Sequence, residues 1–477
     1  MIMWCLMLDN LFLNSYPKVR FAPSPTGFLH LGNVRIALFN WMFARKYEGI
    51  FILRIDDTDK ARCNHFYVES LKKDLKWLGI DWDICFAQSD RGEFYAPYID
   101  ELKRIGRLYP CCETAEELEA QREKLRLNHQ APVFDRQTRL IDYTRTKHWR
   151  FALKKEKTFW QDQLQGECYY DTHHVSDPVV IREDGSLSYL LTSVLDDQDP
   201  QHSITHVIRG IDHYVNTAIQ CQMFEALKKT CPVFAHLPLL QQETGEKFSK
   251  RTKGNSVRDW RSEGVFPESI CQVLLNLSCE NIELIKTFKE RVYDFSWKTY
   301  AKAAEIRLNL ETIWSASNRY FSQISWEDLQ YYLSDFPCKN LKKMHWECIA
   351  KNVYSFFDIQ AWDQIFDTEW YTCQENTENF FSDLLKNSEY LDAVYFQWEA
   401  SLIKIKTSST EMSWSGLWKD WTKSLSQKFS LKYFEVCGSL RWIITGKLKG
   451  PPMVEILSLL EKQSLEYRLK SFVNKKF

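Results

Sequence analysis

The stretch from Val19 to Gly32, VRFAPSPTGFLHLG, constrains this chain more than any other. A short apolar strand (Val19, Phe21) runs into Pro23-Ser-Pro-Thr-Gly27 and then His30-Leu-Gly32. Val34, Ala37, Leu38, Trp41 and Met42 follow at helical spacing. Strand, turn and helix start, in that order, aim unpaired backbone N–H groups and the positive end of the helix dipole into the turn. Gly32 leaves room for a nucleotide to lie against the backbone, and His30 can donate to phosphate oxygens. The stretch reads as a nucleotide cradle without the Walker or GxGxxG pattern.

The next segments fit a doubly wound sheet. Phe51–Ile55 is dense in β-formers, and its carboxyl end carries Asp56, Asp57 and Asp59, where ligands of open parallel sheets sit. A helical run (Val68, Leu71, Leu75, Leu78) closes at Gly79 and leads to Ile80-Asp-Trp-Asp83, which is βαβ traffic. Thr114 to Leu127 reads as an exposed helix with a threonine cap and Glu117 three residues on. Val179–Arg182 and Glu183–Ser186 read as a strand and hairpin turn. Lys247-Phe-Ser-Lys-Arg251, bounded by Gly245 and Gly254, is a cationic flap. Its two lysines, three residues apart, can meet negative charge such as a phosphate carries. Past about residue 285 strand alternation stops, and stretches such as Trp326–Leu333, 349–357 and 380–391 predict helical bundles.

At ~150 residues per domain, 477 residues predict about three domains. A net charge of −1 excludes a wholly basic binder while leaving local basic faces open. The segment from Arg441 onward is one, with eight Lys or Arg against three acidic residues. Fourteen Cys without a CxxC read as reduced, cytosolic thiols. The first sixteen residues hold no Lys or Arg, so neither a signal nor a transit peptide is indicated. Their apolar part is too short to span a membrane.

The Val19–Gly32 motif resembles the HIGH-type signature of class I aminoacyl-tRNA synthetases, and APSPTG its glutamyl-tRNA synthetase form. Lys247–Arg251 resembles the KMSKS loop. Tyr189–Asp197, followed by Ile204–Gly210 and Asp212-His213, resembles the family's second half-domain, and Leu440–Gly446 with Gly450-Pro451 resembles the end of the bacterial enzymes. The resemblance implies an α/β Rossmann-type catalytic domain (HUP-like parallel sheet), an α+β insertion and an all-α C-terminal anticodon-binding domain. It implies an N-terminal extension at 1–17, catalytic halves at 18–95 and 186–225, and an acceptor-binding insertion at 96–185. A stem-contact region at 226–325 and a helical anticodon-binding region at 326–477 complete the expected layout.

By that resemblance the activity is glutamate–tRNA ligation, with ATP and Mg²⁺, on tRNA(Glu), with tRNA(Gln) left open. A monomer in the cytoplasm is expected. His30, Lys247 and Lys250 would be catalytic; Pro23, Gly27, His30, Gly32, Lys247, Ser249 and Lys250 would bind ATP. Arg20, Ala22, Ser24, Asp56, Tyr189, Ser193 and Arg209 would bind glutamate, with Arg209 forking onto the side-chain carboxylate and Asp56 facing the ammonium. Asp56 stands where the family usually has Glu, Ile211 where it commonly has an acidic residue, and Asp197 to Arg209 is longer than usual. No structural zinc is expected, because Cys111 and Cys112 are adjacent and four soft ligands at workable spacing are missing. The other reading is a non-catalytic or altered-specificity tRNA-binding relative.

Overall fold

The computed structural model describes residues 16–59, 61–129, 133–134, 136, 146–246, 248, 256–277, 289–297, 305–367, 382–407 and 413–474. The expected extension at 1–17 therefore lies almost wholly outside the described residues. The chain divides into two compact units, one of Met1–Ser262 with Pro267–Ile313 and one of Glu263–Phe266 with Trp314–Phe477.

In the first unit the strands are β1 (Lys18–Phe21), β2 (Ile50–Ile55), β3 (Ile84–Ala87), β4 (Leu108–Cys111), β5 (His148–Phe151) and β6 (Lys157–Asp162). They continue with β7 (Gly166–Asp171), β8 (Val179–Ile181), β9 (His206–Gly210), β10 (Val233–Leu237), β11 (Leu239–Gln242) and β12 (Glu305–Leu308). Seven of them form one sheet in the order β3-β2-β1-β9-β10-β6-β7, parallel throughout except for the β6–β7 hairpin. Central strands covered on both faces must be apolar along their length; Val19, Phe21, Phe51, Ile52, Leu53, Val207, Ile208, Phe234 and Ala235 are buried accordingly.

From β1 the chain winds outward through β2 and β3, then returns on the other side through β9 and β10. The carboxyl ends of β1 and β9 are thus a topological switch point, where open parallel sheets hold their ligands. Both edges of the first motif are tied down there. The Asp56 N–H donates to the Pro23 carbonyl (3.1 Å) and the Asn64 N–H to the Pro25 carbonyl (3.2 Å).

The segment expected as an insertion at 96–185 divides in two. Strands β4, β5 and β8 form a separate antiparallel sheet, whereas β6 and β7 complete the main sheet against β10. The helix Ala115–Leu127 forms there with the expected cap, Thr114 and Glu117 bonding reciprocally. A further difference lies past residue 285, where Glu305–Leu308 is a strand pairing in parallel with β11. Ile306 and Leu308 are buried and Arg307 is exposed, so a four-residue strand offers too short an alternation to be read.

The regular elements among the described residues of the second unit are helices. Trp346, Trp362, Trp398, Trp418 and Trp421 join Phe321, Phe356 and Ile443 in one buried cluster. Ser325 and Ser355 cap the helices Trp326–Leu333 and Phe356–Ile365 through their side chains, which explains why the predicted run 349–357 breaks: Ser355 starts a new helix. Gly446 ends Tyr433–Thr445 in the left-handed conformation that glycine adopts without steric cost.

Candidate active site

His30 occupies the N-cap of the helix Leu31–Lys46. Its Nδ1 accepts from the Asn33 N–H (3.3 Å), so a neutral ring carries its proton on Nε2 and presents a donor. No acidic side chain stands in the first turn of that helix, leaving the dipole's positive end for an anionic ligand. A Cβ on Gly32 would lie 3.1 Å from the His30 ring. The glycine therefore gives the imidazole its place as well as leaving the backbone accessible.

A cleft of about 520 Å³ opens beside this helix start. Among the expected residues, Arg20, Ala22, Pro23, Ser24, His30, Gly32, Tyr189 and Arg209 line it; Gly27, Asp56 and Ser193 do not. Lys247, Ser249 and Lys250 lie outside the described residues. Their neighbours on either side reach this place: Phe248 lines the cleft, Ser256 bridges to His30, and the Val257 N–H donates to the Leu29 carbonyl (2.8 Å).

Two layers of arginine underlie the cleft, and their electrostatics are opposite. Arg20 and Arg54 both pair with Asp197, at 3.2 and 2.7 Å. Arg54 also holds both oxygens of Asp56 (2.7 and 3.2 Å) and touches Ser193 Oγ (3.2 Å). Arg91 bonds Asp196 (2.8 Å) and Asp199 (2.5 Å). Burial pushes the Asp56 carboxyl up to about 6 against the pull of Arg54. The geometry sets the side chains of Asp56 and Ser193 against Arg54 and leaves both off the cleft wall. An aspartate, a methylene shorter than glutamate, ends on the guanidinium two residues before it.

Asp197 is the residue the sequence reading left without a role. It fixes Arg20 and Arg54 together, and the signal was a pair of aspartates closing an otherwise apolar run. The longer connection after it folds back compactly, with Asp199 ion-paired to Arg91.

Arg209 is different. It is 5% exposed, and its partners are Tyr189 Oη (3.1 Å), Gln220 Oε1 (2.8 Å), Thr217 Oγ1 (2.6 Å) and His236 Nε2 (3.4 Å). All are neutral, and no carboxylate of the described residues forms an ion pair with it. Burial pulls its pKa down from the ordinary guanidinium value. A buried cation without a counter-ion is costly, and here it faces a cleft that could admit an anion. Of its five N–H groups, four are engaged, so a direct bidentate fork needs Tyr189 to yield or to share the carboxylate.

Burial, and then Arg209, lower the His213 pKa to about 4, and burial alone lowers that of His206 to about 4. Neutral His213 can accept from Tyr189 Oη (3.1 Å), keeping the tyrosine turned toward Arg209. Because both folded-state values fall below the ordinary ~6.5 of an unfolded histidine, the unfolded chain binds more protons between those limits. Stability should therefore fall as the pH drops from about 6.5 to about 4. Urea unfolding across that range should show a declining midpoint, and His206→Phe, in a ring environment with Phe43 at 4.8 Å, should flatten the decline. An unchanged slope in that variant would remove His206 from this account.

Among the described residues no group of three or more His, Cys, Asp or Glu could hold a metal ion. Cys111 packs as a small hydrophobe with Tyr109 and Ala152. None of the described helices is long and apolar enough to cross a membrane.

The family model for tRNA synthetases class I (E and Q), catalytic domain, matches residues 18–309. A glutamate–tRNA ligase 1 of Neorickettsia sennetsu is 37% identical over 453 residues, covering 94% of this chain and 98% of that protein. A glutamate–tRNA ligase 2 of Beijerinckia indica is 36% identical over 473 residues, covering 96% and 100%. The fold matches a crystal structure of a glutamate tRNA ligase from Elizabethkingia meningosepticum with TM-score 0.75 at 24% identity, covering 97% of this chain and 100% of that one. A nucleotide-type cradle at the switch point, a family model over residues 18–309 and relatives matching over 94% and 96% of the chain agree: the chain belongs to the class I tRNA synthetases of the glutamyl and glutaminyl (E and Q) family.

Proposed function

We propose that this chain is a glutamate–tRNA ligase, activating L-glutamate with ATP and passing the glutamyl group to the 3′ end of tRNA(Glu). The observation that carries the choice of amino acid is Arg209, a buried cation with neutral partners at the wall of the cleft. A γ-carboxylate supplies the missing charge. Glutamine would set its own NH₂ against that cation, and a site that desolvates a cation for a carboxylate rejects the amide strongly.

In this reading the substrate's α-carboxylate attacks the α-phosphate of ATP, and pyrophosphate leaves. No side chain serves as nucleophile. His30 donates through Nε2 to phosphate oxygens, and the helix start at Leu31 adds its dipole. Pro23, Gly27, Gly32 and Ser249 bind the nucleotide, and Lys247 and Lys250 meet the charge of the leaving pyrophosphate. Mg²⁺ enters as part of the MgATP substrate. Arg20, Ala22, Ser24 and Tyr189 complete the glutamate pocket, while Asp56 and Ser193 support it through Arg54. The tRNA partner is tRNA(Glu), with tRNA(Gln) as a further acceptor to be tested. The acceptor end meets the 96–185 region and the anticodon the helical unit with its basic segment from Arg441. The enzyme acts as a cytoplasmic monomer.

Pyrophosphate exchange into ATP, with tRNA(Glu) present, tests the activation step. Glutamate should support exchange and glutamine should not, by at least about 10³-fold for a site that pairs its buried polar groups with the right substrate. Comparable exchange with both amino acids would sink the assignment of Arg209.

A further inference from the structure

Arg209 is held from behind by a buried pair that no motif marked. His236 and Arg209 are register partners on the neighbouring strands β10 and β9. His236 is fully buried, and its Nδ1 lies 2.5 Å from Asp162 Oδ2. Asp162 ends β6, opposite Phe234. Its other oxygen accepts the backbone N–H groups of Leu164 (2.9 Å), Gln165 (3.0 Å) and His236 (3.4 Å). The carboxylate is thus anchored at both oxygens.

A carboxylate opposite Nδ1 puts the imidazole proton there and leaves Nε2 as an acceptor. That acceptor faces Arg209 Nε (3.4 Å) and Thr217 Oγ1 (2.8 Å), and Thr217 in turn takes Arg209 Nη2 (2.6 Å). Burial, with Arg209 beside it, keeps the ring neutral against the pull of Asp162. A protonated ring, or the opposite tautomer, would aim an N–H at a guanidinium N–H.

We propose that Asp162 and His236 are positioning residues for glutamate recognition: the carboxylate fixes the histidine tautomer, and Nε2 fixes the plane of the Arg209 guanidinium. The pair touches no substrate and acts only through Arg209. This rests on the reading of Arg209 as the glutamate anchor, and wild-type use of glutamate tests that reading separately. If the wild type uses glutamate and the variants below misbehave, only the positioning role fails.

Asp162→Asn is close to isosteric but donates its amide N–H to Nδ1, which moves the ring proton to Nε2 and turns it against Arg209. The glutamate KM in aminoacylation should rise by about tenfold or more, the range for a lost hydrogen bond to a charged donor. The ATP KM should stay within about twofold, since no ATP contact changes. Combining it with His236→Gln, whose amide oxygen accepts whatever residue 162 is, should recover part of the loss. A purely structural role predicts the opposite, further damage in the double variant. Should Asp162→Asn fail to fold, His236→Leu against His236→Gln carries the same comparison: Leu removes the acceptor and should raise the glutamate KM, whereas Gln keeps one and should raise it far less. Parallel rises in the glutamate and ATP KM, no recovery in the double variant, or equal effects of Leu and Gln would overturn the proposal.

Discussion

Replacing Arg209 by Gln should lower kcat/KM for glutamate by roughly 10³-fold while the KM for ATP changes little, because a substrate carboxylate would lose its buried cation. The size follows from the surroundings. Arg209 is bonded only to neutral groups among the described residues, so no carboxylate pairs with it directly until an anion arrives. Removing it leaves an incoming carboxylate desolvated and unpaired. Arg209→Lys should rescue poorly. An ammonium cannot reach Tyr189, Gln220, Thr217 and His236 together, and a point charge lacks the planar fork those partners fit. Steady-state kinetics with each substrate varied in turn checks the prediction. Equal losses in the two KM values, with a lowered unfolding midpoint, would mark the variant as misfolded instead.

His30→Asn should slow adenylate formation by about 10²-fold, the cost of losing one preorganised donor to the reacting phosphates. It should leave the helix Leu31–Lys46 intact. The asparagine oxygen can replace Nδ1 as acceptor of the Asn33 N–H, so the cap persists. His30→Ala should lose the donor and the cap together, adding about 1 kcal/mol of destabilisation. Single-turnover adenylate formation and urea unfolding on both variants separate the two roles. If both variants keep their activity and only Ala is destabilised, the histidine serves only as a cap.

Much of the catalytic unit was legible because its parts are local. The Val19–Gly32 motif is a continuous strand, turn and cap, and each step leaves a residue-level mark: the prolines, Gly32, His30 and the periodic helix after it. Tyr189 and Arg209 were readable as a tyrosine and an arginine in matching runs. What could not be read depends on pairing between distant segments. Asp162 sits in a stretch that looks like insertion, and only the β6–β10 contact brings it to His236. Asp197 was visible as one of two aspartates, but its hold on Arg20 and Arg54 spans most of the catalytic unit. Asp56 stands at the strand end where the sequence puts it, but its engagement by Arg54 is a matter of side-chain reach that no pattern shows. Short strands such as Glu305–Leu308 carry too few residues for period two to stand out.

Labelled glutamate and, separately, labelled glutamine, offered with ATP to the purified protein on tRNA(Glu) and tRNA(Gln) transcripts, test the central claim most directly. The account predicts glutamate on tRNA(Glu) and no glutamine on either; glutamate on tRNA(Gln) as well would define a misacylating enzyme within the same chemistry. Glutamine transfer, or no product from folded protein even with fully modified tRNA, would contradict it.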